Sequence, residues 1–133
     1  MNIFVYGSLK PGEFNYQTYC QGKTIKETPA YVHGKIYDLG IGYPALTEGN
    51  DRVFGYVLSF EHDQILAALD RLEDFVSDRD PELNEYQRCP VTAYDRQNHG
   101  PIDFTWVYRM AKEKIKYYPQ AVYLPEGEWF GPN

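Results

Sequence analysis

One segment of the chain, residues 61–75, has the hydrophobic periodicity of an amphipathic helix. The apolar positions that recur at helical spacing are Ile65, Leu66, Leu69 and Leu72. Elsewhere the apolar runs are short, rich in β-branched and aromatic residues, and separated by glycine and proline, which is typical of strands joined by turns. One main helix among several strands predicts an α+β domain built on a mostly antiparallel sheet or open barrel.

The strand-forming runs can be placed along the chain. Five are predicted, over residues 3–6, 30–39, 52–60, 86–94 and 102–108. Gly55, inside the third run, suggests a β-bulge. A short helix is predicted over residues 14–21, and residues 117–133, with their prolines and glycines, are expected to form an ordered tail. A length of 133 residues favours a single domain over residues 1–133.

Charge and composition argue against several classes of protein. The 13 Lys and Arg residues against 19 Asp and Glu give a formal net charge of −6, which disfavours nucleic-acid binding. No stretch approaches the roughly 20 apolar residues of a membrane span. An apolar strand begins at Ile3, so we expect no signal peptide and a cytoplasmic protein. Cys20 and Cys89 are expected to be reduced, and the three histidines lack metal-ligand spacing, so no metal or cofactor is expected.

One acidic residue of the predicted helix lies on the apolar face. With about 100° per residue, Glu73 projects between Leu66 and Leu69, whereas Asp74 projects towards water. A carboxylate on a core-facing stripe is costly unless it has a partner or a chemical role, and burial raises its pKa towards neutrality. Spacing alone leaves two roles open for Glu73. It is either a structural carboxylate bonded to an Arg or Tyr, which is the commoner case, or a general acid/base.

The loop after the first strand is the second candidate feature. Tyr6-Gly7-Ser8-Leu9 follows that strand directly, and Gly7 permits close backbone approach. Successive free N–H groups at a strand end can bind an anion or a carbonyl oxygen, although a Gly-Ser pair in this position is usually only a turn. The spacing of a phosphate-binding loop is absent.

Several further segments occur in a specific order. They are Tyr6-Gly7-Ser8-Leu9 with Gly12 and Asn15, then Tyr43-Pro44-Ala45-Leu46, Val53-Phe54-Gly55, Leu69-Asp70-Arg71-Leu72-Glu73, Tyr86-Gln87-Arg88, Thr105-Trp106-Val107-Tyr108 and Glu126-Gly127-Glu128-Trp129. Over nearly the whole chain, this ordered set resembles the gamma-glutamylcyclotransferase-like family.

The resemblance implies a fold and a site. The fold would be a small mixed, mostly antiparallel β-barrel flanked by helices, with a cavity at one end of the barrel. Glu73 would be the catalytic acid/base. The residues expected to line the cavity and bind substrate are Tyr6, Gly7, Ser8, Leu9, Tyr86 and Tyr108. Arg88 is left open between holding a carboxylate and lying on the surface.

The resemblance also implies a reaction. The substrate would be a small molecule with a gamma-glutamyl group, which the enzyme would cyclise to 5-oxoproline with release of an amine or amino acid. No nucleic acid or membrane partner is expected, and the oligomeric state is left open. Three departures from the family pattern bear on the substrate: Tyr56 stands where many members have Glu, Asp74 where many have Gly, and the loop over residues 76–85 is long.

Three alternative functions were weighed against this one. The first is a non-catalytic module that binds a small ligand on the same fold. The second is a related enzyme that removes a gamma-glutamyl protecting group in a biosynthetic pathway. The third is an interaction protein that uses a tyrosine-rich surface, since the chain contains 13 tyrosines.

Overall fold

The computed structural model describes residues 1–132 and consists of one sheet with short helices beside it. Its strands are β1 (Asn2–Val5), β2 (Thr24–Asp38), β3 (Pro44–Phe60), β4 (Gln87–Val91), β5 (Tyr94–Asp95), β6 (Thr105–Arg109) and β7 (Val122–Tyr123). Its α-helices are α1 (Tyr16–Tyr19) and α2 (Ile65–Leu72), and 3-10 turns cover Pro81–Leu83 and Lys112–Tyr117. No helix in this part of the chain is both long and apolar enough to cross a membrane.

The sheet is mixed and mostly antiparallel, which confirms the predicted fold class. The strand order is β4-β6-β1-β3-β2-β5, and β7 pairs with β2 at a further edge. Only β1 and β6 run parallel among the named strand pairs. The sheet curls into a half-barrel with few helices beside it.

The centre of the sheet is a long hairpin whose strands exceed the predicted ones. β2 and β3 have 15 and 17 residues, because the polar residues that interrupt the sequence pattern point outward along paired strands. Their register shifts between Gly34 and Lys35, so that residues 48–50 of β3 are additional. The bulge predicted at Gly55 is therefore wrong, because Gly55 pairs regularly with Ala30.

Gly55 is required for another reason. A Cβ atom at this position would lie 2.1 Å from the carbonyl oxygen of Val5 on the neighbouring strand. Only glycine permits β1 to approach β3 this closely. The contact matters for the site, because the residues that follow Val5 line the main cavity.

Alternate residues of β1 belong to two hydrophobic clusters, as expected when side chains alternate across a sheet. Ile3 and Val5 pack with Leu69 of α2, whereas Phe4 and Tyr6 pack with Trp129 of the C-terminal tail. The first strand is therefore buried on both faces. The helix and the tail enclose opposite faces of the sheet beside it.

Both helices are shorter than predicted. α2 covers eight residues instead of the 15 in residues 61–75, and α1 covers four instead of the eight in residues 14–21. At the end of α2 the chain turns because Asp74 adopts a left-handed conformation with φ of 54°. Before α2, residues 61–64 form a bend and a turn.

The two later strands are also shorter than the predicted runs. Residues 86–94 divide into β4 and the two-residue β5, and the run 102–108 begins its strand only at Thr105. Pro90 lies inside β4, which has no main-chain N–H there to donate. β4 is accordingly an edge strand, the position where proline is tolerated in a sheet.

The C-terminal residues cross the sheet and hold the loop that follows β1. The N–H of Phe54 donates to the carbonyl oxygen of Gly127 at 2.8 Å, and Trp129 is only 2% exposed. The buried ammonium group of Lys10 donates to the carbonyl oxygen of Trp129, and burial lowers the pKa of this lysine. The predicted tail extends to Asn133, which lies outside the described residues.

Trp129 should be a main source of stability. We expect Trp129→Ala to lower the free energy of unfolding by about 3–5 kcal/mol, because a large buried ring is removed. Within residues 1–132 the ring N–H of Trp129 has no hydrogen-bond partner, so Trp129→Phe should cost only about 1 kcal/mol. Urea unfolding of both variants checks this, and equal losses for the two would contradict it.

Candidate active site

A cavity of about 560 Å³ opens beside the end of β1. All seven residues singled out from the sequence line it, namely Tyr6, Gly7, Ser8, Leu9, Glu73, Tyr86 and Tyr108. The wall is completed by Phe4, Val5, Phe14, Asn15, Tyr43, Pro44, Leu72, Asp74 and Glu85. Residues far apart in the sequence thus share one concave site, which is the usual form of a small-molecule pocket.

The loop after β1 lines this cavity through Gly7, Ser8 and Leu9. Two of its carbonyl groups are occupied, since the N–H of Lys10 donates to the carbonyl oxygen of Gly7 at 3.0 Å and that of Asn15 to the carbonyl oxygen of Ser8 at 2.9 Å. Across residues 1–132, no hydrogen bond is donated by the N–H of Gly7, Ser8 or Leu9. Such a loop can receive an anionic or carbonyl oxygen.

Gly7 fits this loop against the opposite strand. A Cβ atom at Gly7 would lie 2.8 Å from the ring carbons of Pro44, the first residue of β3. A larger residue would therefore push the loop away from Pro44. The Asn15 amide donates to the hydroxyl of Ser8 at 2.9 Å and fixes the other side of the loop.

Glu73 caps the C-terminus of α2. Its N–H still donates to the carbonyl oxygen of Leu69 at 2.9 Å, so the residue keeps its helical position although the helix ends at Leu72. The next two N–H groups, of Asp74 and Phe75, donate back to Arg71 and Asp70. This pattern is a Schellman motif, in which the residue after the cap is left-handed and is commonly glycine.

The motif explains one departure from the family pattern. Asp74 occupies the left-handed position, where an aspartate is tolerated although glycine is favoured. Arg79 holds it there by donating to its carboxylate at 3.1 Å and to its carbonyl oxygen at 2.9 Å. The chain can therefore make the same turn after Glu73 without glycine.

The carboxyl group of Glu73 has an unusual environment. The residue is half-buried and lines the cavity, and no hydrogen bond or ion pair to its carboxylate is found in the described part of the chain. Desolvation, with a smaller contribution from the charge of Glu85, raises its pKa to about 8. A carboxyl group with this pKa can both accept and donate a proton near neutral pH. The structural alternative weighed from the sequence, a carboxylate bonded to an Arg or Tyr, has no support here.

The three predicted tyrosines line the cavity, and their hydroxyl groups donate hydrogen bonds to acceptors within the protein. Tyr6 donates to the carbonyl oxygen of Tyr108 at 2.6 Å and accepts from the N–H of Leu46 at 3.1 Å. Tyr86 donates to the carbonyl oxygen of Pro44 at 2.6 Å. Burial raises the pKa of all three phenols, so they stay neutral. They shape the cavity and fix its strands relative to one another.

A small polar cluster attaches α2 to the sheet. The hydroxyl of Tyr108 donates to Asp70 Oδ1 at 2.7 Å, and Arg88 donates to both carboxylate oxygens of Asp70, with its Nε 2.9 Å from Oδ1. The guanidinium group lies over the rings of Trp106 and Phe75, 4.6 and 5.5 Å from their centroids. Arg88 therefore holds a carboxylate of the protein itself, three residues before Glu73.

Tyr43 and Glu85 also line the cavity, although the sequence analysis assigned neither of them to the site. Burial and the neighbouring Glu85 raise the pKa of Tyr43 to about 12. Burial also raises the pKa of Glu85, and the Tyr43 hydroxyl offsets part of that rise. Tyr43 precedes a Pro that marks a strand start, which is only a weak indication of a site residue. Glu85 ends a polar loop, and nothing in its local sequence indicates a functional role. Among the described residues, no group of His, Cys, Asp and Glu has the arrangement of a metal site.

Comparisons with known proteins agree with the fold and identify the family. The family model described as "Gamma-glutamyl cyclotransferase, AIG2-like" matches residues 3–131. A gamma-L-glutamyl-butirosin B gamma-glutamyl cyclotransferase of Niallia circulans is 36% identical over 110 residues, which are 80% of this chain and 66% of that protein. The chain therefore spans slightly less than two thirds of that relative.

Two further proteins are similar over more of their length. A protein of Halalkalibacterium halodurans, provisionally named a gamma-glutamylcyclotransferase, is 44% identical over 111 residues, covering 82% of this chain and 89% of that one. An AIG2-like protein of Mus musculus has a crystal structure with a TM-score of 0.61 at 22% identity, covering 99% of this chain and 95% of that one. At that identity the likeness concerns the fold alone.

The raised pKa of Glu73 has a consequence for stability. Between an unfolded pKa near 4.5 and the folded value of about 8, the folded protein binds a proton that the unfolded chain has released. This stabilisation is complete below pH 4.5 and is lost as the pH rises through 8. Relative to wild type, Glu73→Gln should therefore gain stability across this range, by about 2 kcal/mol at pH 9 after allowance for solvent in the cavity.

Urea unfolding of both proteins at pH 4.5, 7 and 9 measures this difference. Glu61→Gln is the matched control, because the Glu61 side chain is 76% exposed, and its difference from wild type should not follow the same course. A difference between Glu73→Gln and wild type that is constant with pH would contradict the raised pKa.

Proposed function

The chain belongs to the AIG2-like gamma-glutamyl cyclotransferase family, and on this premise we propose that it cyclises a gamma-glutamyl group to 5-oxoproline, with Glu73 as general acid/base. The substrate is a small molecule in which the gamma-carboxyl group of glutamate is joined to an amine or amino acid. The chemistry needs neither metal nor cofactor, because the nucleophile is the alpha-amine of the substrate itself.

One observation supports this proposal above the others. The unpaired Glu73 carboxyl group, with its pKa of about 8, shares a cavity with the unpaired N–H groups of the Gly7–Leu9 loop. A proton acceptor and a set of oxygen-binding donors are the two groups that an intramolecular acyl transfer requires. A binding module for an anionic ligand would have no use for a desolvated carboxylate.

The reaction begins with proton removal. The alpha-amine of the substrate is an ammonium group in water, and the ionised form of Glu73 accepts one of its protons. The freed nitrogen then attacks the gamma-carbonyl carbon of the same molecule and closes a five-membered ring. Since nucleophile and carbonyl belong to one molecule, the site gains most by holding the substrate in its folded conformation.

The second half of the reaction breaks the original amide bond. Attack places negative charge on the carbonyl oxygen, which the N–H groups of Gly7, Ser8 and Leu9 stabilise. Glu73, now protonated, donates its proton to the leaving nitrogen as the bond from the gamma-carbon to that nitrogen breaks. The ring nitrogen gives up its second proton to the departing amine, so the products are 5-oxoproline and the protonated amine, and Glu73 returns to its ionised form. No water is consumed and no oxidation state changes.

We expect the purified protein to release 5-oxoproline from at least one member of a panel of gamma-glutamyl amino acids and gamma-glutamylamines. Glu73→Gln should lower kcat about 10²–10⁴-fold, because the amide cannot accept the proton. The product can be measured by mass spectrometry under initial-rate conditions.

The exposed Glu61→Gln variant is the control and should keep the wild-type rate. Full activity in Glu73→Gln would disprove the assignment of the acid/base. Thermal stabilisation by a panel member without any product would favour the non-catalytic binding module instead.

A further inference from the structure

The charges around the cavity are strongly one-sided. Its wall includes three carboxylates, Glu73, Asp74 and Glu85, and within residues 1–132 no Lys, Arg or His contributes to it. Within these residues Glu73 has no hydrogen-bond partner, and it lines the cavity. Its carboxyl group is therefore available to a bound ligand and is not merely a surface charge.

The three carboxylates differ in how far the protein neutralises them. Asp74 is paired with Arg79 at 3.1 Å. Glu73 is the proposed acid/base. Glu85 is half-buried, and no ion pair to it is found among the described residues. Burial raises the pKa of its carboxyl group, and the Tyr43 hydroxyl offsets part of that rise. Glu85 is therefore the carboxylate of the wall with charge left for a ligand.

One cation from another element, Lys114, acts on Glu85 but is already engaged. Lys114 donates from its ammonium group to the carbonyl oxygens of Glu82, at 2.8 Å, and Asn84. Its charge offsets part of the rise that burial causes in the pKa of Glu85, but it is not part of the cavity wall. No cationic side chain of the cavity wall therefore competes with a bound ligand for the Glu85 carboxylate.

The loop over residues 76–85 holds Glu85 rigidly. Asn84 is 2% exposed, and its side-chain amide bonds both main-chain groups of Val76, the Nε of Arg79 and the side chain of Gln87. The N–H of Glu85 donates to the carbonyl oxygen of Asp74 at 3.2 Å. The loop that departs from the family pattern therefore fixes a carboxylate beside the turn that carries Glu73.

Resting on the proposed function, we propose that Glu85 is a specificity-determining residue that favours substrates whose leaving amine carries a second positive charge. The alpha-ammonium group of the glutamyl unit lies at Glu73, and a further cation on the leaving group pairs with Glu85. A leaving group with a carboxylate, such as an ordinary amino acid, meets like charge there and is disfavoured.

This pairing also favours catalysis. The charge of Glu85 raises the pKa of Glu73, and a cation bound at Glu85 offsets that charge. Glu73 is then more readily ionised when the favoured leaving group is in place. The pKa of Glu85 is itself influenced by Asp74, Tyr43 and Lys114. The charged group that influences the pKa of Glu73 is Glu85.

Three substrates of similar length separate the contributions of charge and size. They are the gamma-glutamyl amides of butane-1,4-diamine, which is cationic, of pentylamine, which is neutral, and of 4-aminobutanoate, which is anionic. We expect kcat/KM to fall in that order, by roughly tenfold at each step in low salt, and the spread to narrow at high salt because ions screen the pair.

Glu85→Gln should reduce the spread among the three substrates to a few-fold, because the cationic amide loses its partner and the anionic amide no longer meets a like charge. The matched control is Glu82→Gln on the same loop, whose exposed side chain is outside the cavity wall and which should keep the wild-type order. Equal kcat/KM for the three amides in the wild type, or an equal loss on all three in Glu85→Gln, would overturn the inference.

A binding measurement separates this inference from the proposed reaction. Calorimetry of the three amides with Glu73→Gln should show the same order of affinity without turnover. If the wild type releases no 5-oxoproline but the cationic amide still binds most tightly, the reaction is wrong and the preference of Glu85 stands. If 5-oxoproline forms but neither rate nor affinity depends on charge, the preference is wrong and the reaction stands.

Discussion

The attachment of α2 to the sheet determines where the Glu73 carboxyl group lies. A helix of eight residues is too short to be stable by itself in water, so contacts with the rest of the protein must hold it. Leu69 is buried in the core beside β1, and Asp70 bonds both Tyr108 and Arg88 on neighbouring strands. Glu73 follows within one turn. The candidate site is therefore complete only when β4, β6 and α2 have come together.

The two sides of the cavity have complementary chemistry. On one side a carboxyl group has lost much of its hydration and has no partner among the described residues, which raises its pKa to about 8. On the other side, main-chain N–H groups of Gly7 to Leu9 are left without acceptors. Both arrangements cost stability in the absence of a ligand, because desolvated polar groups are unfavourable unless they are paired. The hydroxyl groups of Tyr6, Tyr86 and Tyr108 in the same wall, by contrast, donate to acceptors within the protein.

Local sequence patterns predicted the features that depend on local geometry. Glu73 was found from helical spacing, and it keeps that position because its N–H still bonds Leu69 beyond the end of the helix. The early end of α2 was missed, since an aspartate in the left-handed position gives no signal of the kind that glycine gives. The role of Gly55 was misread as a bulge, because its cause is a contact with Val5 on another strand. Glu85 could not be found, because the contacts of Asn84 that position it arise only in the folded loop.

The surroundings of Glu73 keep its carboxyl group protonated well above the ordinary pH range of a glutamate. Nuclear magnetic resonance of the protein labelled with ¹³C in its glutamate carboxyl groups measures this directly, with the Glu73 signal identified by its loss in Glu73→Gln. We expect a titration midpoint near 8 for that signal. A midpoint between about 4 and 5, as for a glutamate in water, would contradict it.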